Sequence, residues 1–188
     1  MGIITHSKCP NCESQHMRDV FTGTDYSHTK ESFSVTKCED CQFTFTQNIP
    51  DEDSIGKYYE SEDYVSHSDT QKGLFFSIYH LVRKFMLGQK RKMVEQSSQT
   101  GTLLDIGCGT GYFLNEMQQN SWKCFGIEQD EKTRTYATSK FSLDINDPSY
   151  LATVPEKSIQ VITMWHVLEH VHNLHQQLQQ IKKALVQD

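Results

Sequence analysis

The sequence predicts an α/β fold built on a parallel β-sheet, and three apolar runs support this prediction. The run at 103–106, which contains one acid, leads into alternate glycines and then into apolar residues at helical spacing. This order is typical of a strand, a tight turn and a helix. A second run lies at 122–128. A third, at 161–165, is apolar on successive residues, as expected for a strand covered on both faces.

The glycines Gly107, Gly109 and Gly111 predict a loop that cradles a ligand. Glycine lets a backbone approach a ligand with no Cβ in the way, and the helix that follows offers unpaired N–H groups. A dinucleotide fingerprint would have its third glycine one position later, where this chain has Tyr112. A nucleotide-dependent oxidoreductase is therefore disfavoured.

Residues 105–111, Asp-Ile-Gly-Cys-Gly-Thr-Gly, resemble motif I of the class I S-adenosylmethionine (SAM) methyltransferases. In that family the loop lies under the methionine part of SAM, and the acid, here Asp105, helps to orient the amino end. The run at 122–128 ends in Glu128, about 20 residues after the first glycine, where a carboxylate can accept from both ribose hydroxyls. Residues 161–171 are similar to the fourth strand and following turn of ubiquinone-type and small-molecule methyltransferases.

The resemblance implies a Rossmann-like methyltransferase sheet over residues 99–188, with SAM as cofactor. A third strand is predicted at 141–145, after a helix that Asp130 can cap. The family has a polar residue just beyond that strand, against the adenine; Asp147 is preferred here and Asn146 is the alternative. The implied SAM-binding residues are Asp105, Gly107, Cys108, Gly109, Thr110, Gly111, Tyr112, Phe113, Glu128, Gln129, Asp147 and Trp165.

Two Cys-x-x-Cys pairs near the N-terminus predict a zinc ribbon over residues 1–50. Four thiolates suit a closed tetrahedral zinc site, and a reducing cytosol argues against disulfides. Free or redox-active thiols are the alternative. Alternating residues at 33–37 and 43–46 predict short strands that carry the metal. The expected ligands of this structural zinc are Cys9, Cys12, Cys38 and Cys41.

Residues 51–98 are expected to form lid helices, because class I methyltransferases use N-terminal helices to cover SAM. Zinc-ribbon methyltransferases, including deoxysugar C-methyltransferases, share this order of ribbon, lid and SAM fold. Tyr58, Tyr59, Tyr64 and His67 then line the substrate mouth or, alternatively, pack in a core or hinge. Periodicity predicts a helix over 70–96. Its expected core-facing residues are Leu74, Ile78, Leu81, Val82, Phe85 and Met93.

The turn after the fourth strand contains His166, Glu169 and His170. If a helix begins near Val167, the three side chains share one face and offer a metal site. His166 as general base or substrate contact is a second interpretation, and packing, capping or SAM contacts are a third. Of the three residues, His166 is the candidate catalytic group.

The last predicted element is a helix over 174–186, whereas the family's seven-stranded sheet continues with three more strands. We therefore expect a C-terminally truncated fragment of a longer enzyme. The edge at 161–165 would then be unpaired and open to self-association.

A formal charge of −6 argues against nucleic acid as substrate, and the cluster Lys90-Arg91-Lys92 is interpreted as a solvated helix face. No apolar run is long enough to span a membrane and no signal peptide opens the sequence, so a cytoplasmic location is expected. The predicted function is a SAM-dependent methyltransferase acting on a small molecule such as a nucleotide sugar or another biosynthetic intermediate. The alternative is a non-catalytic zinc-ribbon and SAM-fold binding or scaffold module.

Overall fold

The computed structural model of the chain describes residues 2–26, 29–52, 54–58 and 74–186. It contains two compact units. The first comprises residues 1–70 with 172–175, and the second comprises 71–171 with 176–188. Three of the residues assigned to the substrate mouth, Tyr59, Tyr64 and His67, lie outside the described residues.

The first unit is built from two small antiparallel sheets. One sheet pairs β1 with β5, and the other has the order β2-β3-β4. The predicted strands at 33–37 and 43–46 correspond to β3 and β4. The bounds are Ile3–Ile4 for β1, Met17–Thr24 for β2, Ser32–Cys38 for β3, Thr44–Gln47 for β4 and Ile49–Pro50 for β5.

The second unit has a four-stranded parallel sheet in the order β8-β7-β6-β9, which confirms the predicted parallel α/β fold. The strands are Thr102–Ile106 (β6), Lys123–Ile127 (β7), Asp144–Asn146 (β8) and Val161–Met164 (β9). The α-helices are Leu74–Ser97 (α1), Tyr112–Gln119 (α2), Glu131–Phe141 (α3) and Leu174–Ala184 (α4). Short 3-10 helices cover Pro148–Thr153 and Leu168–His170 in this unit and Ile55–Tyr58 in the first unit.

The sheet of the second unit is buried on both faces. Alternate residues of β6 point in opposite directions. Leu103 packs in a cluster with Leu114 and Met117 of α2, whereas Leu104 packs in a second cluster with Ile127. This two-sided burial explains why the strands are apolar on successive residues.

The start of the third strand differs from the sequence-based prediction. The third strand begins at Asp144, because Phe141 still belongs to α3 and Ser142 ends that helix in a left-handed conformation, with φ 55°. The start of α3 follows the prediction, since Asp130 Oδ1 accepts a hydrogen bond from the Thr133 backbone N–H at 2.8 Å.

The predicted core-facing side of α1 is wrong. Leu81, Val82 and Met93 are exposed, and Phe85 has 63% of its surface accessible. The helix buries its other side, where Val94 is only 4% exposed. The helix carries apolar residues on both sides, so periodicity alone did not indicate which side meets the sheet layer. The side chains of residues 71–79 lie outside the described set. None of the helices in the described ranges is long and apolar enough to cross a membrane.

Candidate functional site

The glycine loop follows β6 and is hydrogen-bonded to β7. Gly107 and Cys108 both donate their backbone N–H to the carbonyl oxygen of Ile127, at 2.7 and 3.0 Å. The φ angle of Gly107 is 72° and that of Gly109 is 53°, a region that residues with a Cβ rarely adopt. The loop conformation therefore favours glycine at these positions.

Gly107 and Gly109 differ in their surroundings. A Cβ added to Gly107 would lie 2.3 Å from Cγ2 of Val167, so that glycine is needed for packing within the protein. A Cβ added to Gly109 would meet nothing within 4 Å. The loop therefore presents an open face at Gly109, where a ligand can approach the backbone. Helix α2 begins directly afterwards, at Tyr112, and no side chain caps it.

Glu128 is held against this loop by backbone donors. Its Oε2 accepts from the Gly109 N–H at 2.9 Å, and its Oε1 accepts from the Asp130 N–H at 3.0 Å. Each carboxylate oxygen has two lone pairs, so each can still accept a hydrogen bond from a ligand hydroxyl. The structure thus brings Glu128 and the glycine loop together, as the sequence predicts.

Asp105 lies at the base of the loop and is only 2% exposed. Its Oδ1 accepts a hydrogen bond from the Thr163 hydroxyl at 2.6 Å. Burial raises the pKa of Asp105 to about 7, while the Thr163 hydrogen bond and the Lys90 charge oppose that rise. A buried carboxyl with a pKa this far above its ordinary value is typical of a functional site.

Lys90 is a feature of the site that the sequence analysis missed. Its Nζ lies 4.4 Å from the centroid of the Trp165 ring, and burial lowers its pKa while the charge of Asp105 raises it. Arg91 is also engaged, with Glu116 at 3.0 Å and Glu95 at 2.9 Å. The interpretation of this cluster as a solvated face is therefore wrong for Lys90 and Arg91. No sequence signal distinguished them, because the buried side of α1 was assigned incorrectly.

An aromatic group lines the same region. The rings of Phe113 and Trp165 meet edge to face, with centroids 5.6 Å apart. The indole Nε1 of Trp165 is buried and has no hydrogen-bond acceptor among the described residues. Tyr112 lies under the Arg83 guanidinium, 3.9 Å from ring centroid to Cζ, and accepts from Lys140 Nζ at 2.7 Å.

The remaining predicted cofactor residues have identifiable local contacts. Asp147 Oδ1 accepts from the Ser149 N–H at 2.8 Å, and this cap lowers the pKa of Asp147. Burial raises the pKa of the Cys108 thiol, which therefore suits packing better than reactivity. The backbone carbonyl of Gln129 accepts from Arg134 at 2.7 Å. The SAM contacts of Asp147, Cys108, Gln129 and Thr110 stay predictions.

The turn after β9 does not form the α-helix that would place His166, Glu169 and His170 on one face. Only a single 3-10 turn, Leu168–His170, follows the strand. The His166 side chain is 88% exposed, its Nδ1 lies 3.9 Å from Oε1 of Glu169, and its backbone has a left-handed φ of 59°. Among the described residues, four cysteines form a group that could hold a metal ion. His166, Glu169 and His170 do not form such a group. The structure therefore gives no support to a metal site at His166.

The four N-terminal cysteines converge in the first unit. Their sulfur atoms all lie within 4.8 Å of one another, with Cys9 and Cys41 at 3.6 Å and Cys12 and Cys38 at 3.7 Å. Tetrahedral zinc with bonds of about 2.3 Å separates its sulfur ligands by about 3.8 Å. All six cysteines of the sequence are free thiols. The spacing fits one zinc ion.

The two Cys-x-x-Cys turns have matching backbone geometry. In each turn the N–H of the first cysteine, Cys9 or Cys38, donates to a carbonyl at 2.8 Å. The residue after the second cysteine, Glu13 or Gln42, donates back to the first cysteine and has a φ of 60° or 63°. The two carbonyl acceptors belong to Ser14 and Phe43. This repetition supports a shared role for the two turns in binding one ion.

The fold and the glycine loop together define an α/β protein with a parallel sheet and an open loop between β6 and α2. Residues 79–188 match a sequence family described as a methyltransferase domain. The match covers more than half of the sequence, and the chain therefore belongs to the methyltransferase domain family.

Several solved structures are similar to the chain. A SAM-dependent methyltransferase from Archaeoglobus fulgidus is 20% identical, with a TM-score of 0.49, over 61% of this chain and 54% of that one. The YcgJ protein from Bacillus subtilis is 18% identical, with a TM-score of 0.47, over 54% and 46%. A SAM-dependent methyltransferase from Mesorhizobium loti is 19% identical, with a TM-score of 0.41, over 45% and 41%. The matched part therefore spans about half the length of these proteins. No curated protein sequence gives a match.

Proposed function

We propose that this protein is a SAM-dependent methyltransferase that acts on a small-molecule acceptor. The observation that carries the proposal is the open backbone at Gly109, which has a buried carboxyl, Asp105, below it and a second carboxylate, Glu128, beside it. This set matches the chemistry of SAM, which has an ammonium group at one end and a ribose diol in the middle.

The residues present fit the cofactor. Asp105 would accept from the ammonium group, and Glu128 would accept from the ribose hydroxyls. Gly109 leaves room for the ligand against the loop. Trp165 Nε1, which lacks an acceptor among the described residues, offers a further donor. Lys90, above Trp165, adds a positive charge suited to the carboxylate of the same amino-acid end.

Bound SAM would supply an electrophilic methyl group that an O, N or C nucleophile attacks in line, with S-adenosylhomocysteine as the leaving group. The task of this chain's residues is then to hold the two reactants aligned, which can account for much of the acceleration. A base is needed only where the nucleophile starts protonated. His166 is the proposed base, since its side chain is exposed and it follows the carboxyl end of β9.

The first unit is proposed to bind a structural zinc ion through Cys9, Cys12, Cys38 and Cys41. The support is the sulfur spacing and the repeated geometry of the two turns. With four thiolate ligands the site has no open coordination position, so zinc would stabilise the small sheets and would not take part in methyl transfer.

The acceptor class is proposed from the family resemblance and the net charge. The resemblance to zinc-ribbon and ubiquinone-type enzymes favours a nucleotide sugar or another biosynthetic intermediate, and a charge of −6 disfavours nucleic acid. A cytoplasmic location is proposed as well. In the described part of the sheet β9 is an edge strand, which supports self-association by strand pairing as a further proposal.

The second candidate function is a non-catalytic module in which the zinc ribbon and the SAM-type fold serve recognition. The exposed apolar side of α1, including Leu81 and Phe85, favours it, because such surfaces often bind other molecules. The presence of Gly109, Asp105 and Glu128 together favours the enzyme, since a site that no longer binds a ligand has little reason to retain groups that match one.

Isothermal titration of the purified protein with SAM, S-adenosylhomocysteine and NAD tests the proposal, with zinc content measured on the same sample. We expect saturable binding of the first two ligands and none of NAD, and loss of binding in Gly109→Val and Glu128→Ala. Gly88→Val is a matched control, because a Cβ there meets nothing within 4 Å and the residue lies in α1. If the folded, zinc-loaded protein binds neither SAM nor S-adenosylhomocysteine, the methyltransferase function is refuted and the non-catalytic binding module is favoured.

A further inference from the structure

Asp105 and Thr163 face each other across two neighbouring strands. They are register partners in the parallel pair of β6 and β9. The Thr163 hydroxyl donates to Oδ1 of Asp105 at 2.6 Å, and Thr163 is itself only 8% exposed. A short hydrogen bond between two buried side chains on adjacent strands restricts the rotation of both. The carboxyl of Asp105 is therefore held in one orientation by β9.

The hydrogen bond uses one of the two carboxyl oxygens of Asp105. Oδ2 accepts no hydrogen bond from any residue in the described ranges, whereas Oδ1 is bound to Thr163. The orientation of Oδ2 is thus decided by the bond at Oδ1. An ionised carboxylate accepts hydrogen bonds and pairs with cations, but a protonated one does not attract an ammonium group.

We propose that Thr163 is a positioning residue for SAM, whose hydroxyl fixes the orientation of the Asp105 carboxyl so that Oδ2 can accept from the ammonium group of the ligand. The inference rests on the proposed function, because it assigns the amino-acid end of SAM to Asp105. Thr163 does not touch the ligand and acts only through Asp105. Neither the glycine loop nor the spacing of the acids pointed to a residue on β9.

The charges around Asp105 explain why the Thr163 hydroxyl affects the protonation of Asp105. Burial raises the pKa of Asp105, and the nearby Glu128 raises it further, while Thr163 and Lys90 lower it. The neighbouring thiols of Cys108 and Cys124 are kept protonated by burial and by Asp105 itself, so they add no charge. With a pKa of about 7, the carboxyl is balanced between its two forms at neutral pH. Loss of the hydroxyl would therefore favour the protonated form.

The test compares Thr163→Val, which has nearly the same shape, with Thr163→Ser, which retains the hydroxyl. Two ligands are titrated at pH 7: S-adenosylhomocysteine, which carries the ammonium group, and 5′-methylthioadenosine, which lacks the amino-acid end. We expect Thr163→Val to weaken S-adenosylhomocysteine binding about tenfold or more, as for loss of a hydrogen bond to a charged group. Binding of 5′-methylthioadenosine should not change, and Thr163→Ser should restore wild-type affinity.

Raising the pH should separate positioning from damage to the fold. The loss of S-adenosylhomocysteine affinity in Thr163→Val relative to wild type should be smaller at pH 8.5, where Asp105 ionises in both proteins. Because both proteins are titrated at the same pH, ionisation of the ligand affects them equally. Equal weakening of both ligands at every pH would show a structural role and overturn the inference.

A ligand-free measurement makes the inference separable from the proposed function. Carboxyl ¹³C NMR, with the Asp105 signal assigned by Asp105→Asn, should show a higher pKa in Thr163→Val than in wild type. An unchanged pKa would overturn the inference even if SAM binds. If the wild-type protein binds neither nucleoside, the proposed function fails and the role toward SAM fails with it, whatever the NMR result.

Discussion

Replacing Asp105 by asparagine should stabilise the second unit at neutral and alkaline pH. Below about pH 4 the carboxyl is protonated in both the folded and the unfolded chain. Between about pH 4 and 7 the unfolded chain releases the proton and the folded chain keeps it, because burial raises the folded pKa to about 7. The favourable contribution of the protonated carboxyl is therefore lost as the pH rises through 7.

The size of the effect follows from the difference between the two pKa values. The shift from 3.8 to about 7 corresponds to a cost of about 4 kcal/mol above pH 7. Asparagine cannot ionise, but its Oδ1 can still accept from Thr163. The free energy of unfolding of Asp105→Asn relative to wild type should therefore increase by about 3 kcal/mol between pH 5 and pH 8.

Urea denaturation followed by tryptophan fluorescence measures this difference. The sequence has two tryptophans, Trp122 and Trp165, and both lie in the second unit, so the emission reports on that unit. Glu156→Gln, at an exposed position, controls for the removal of one negative charge. A difference between Asp105→Asn and wild type that stays constant from pH 5 to 8 would refute the assigned burial of an ionisable Asp105.

Two further outcomes are expected. Removal of zinc by a chelator should unfold the sheet β2-β3-β4, because so small a module has little core of its own. Amide hydrogen exchange measures the unfolding of this sheet, and unchanged protection would contradict a structural zinc. Val94→Ala should cost about 1–3 kcal/mol of unfolding free energy, since Val94 is 4% exposed, whereas Phe85→Ala should cost less than about 0.5 kcal/mol at 63% exposure. A larger loss for Phe85→Ala in urea denaturation would mean that the outer side of α1 is covered.

Short-range patterns predicted much of this protein. The glycine loop could be identified because the backbone conformation at Gly107 and Gly109 favours glycine, a property of the residues themselves. The cluster of four cysteines could be predicted for a similar reason, since each Cys-x-x-Cys pair forms a local turn. The parallel sheet followed from runs that are apolar on successive residues. The SAM contacts of the loop stay predictions until a ligand is titrated.

Other features depended on which surfaces meet in the folded chain. The sequence of α1 is apolar on two sides, so only tertiary packing decided that Val94 faces the core and Phe85 does not. The same choice of side brought Lys90 to Trp165. Thr163 meets Asp105 because β6 and β9 pair in one register, although the two residues are far apart in sequence. Local conformation is encoded by neighbouring residues, whereas the charge state of Asp105 is decided by groups that only the folded structure brings together.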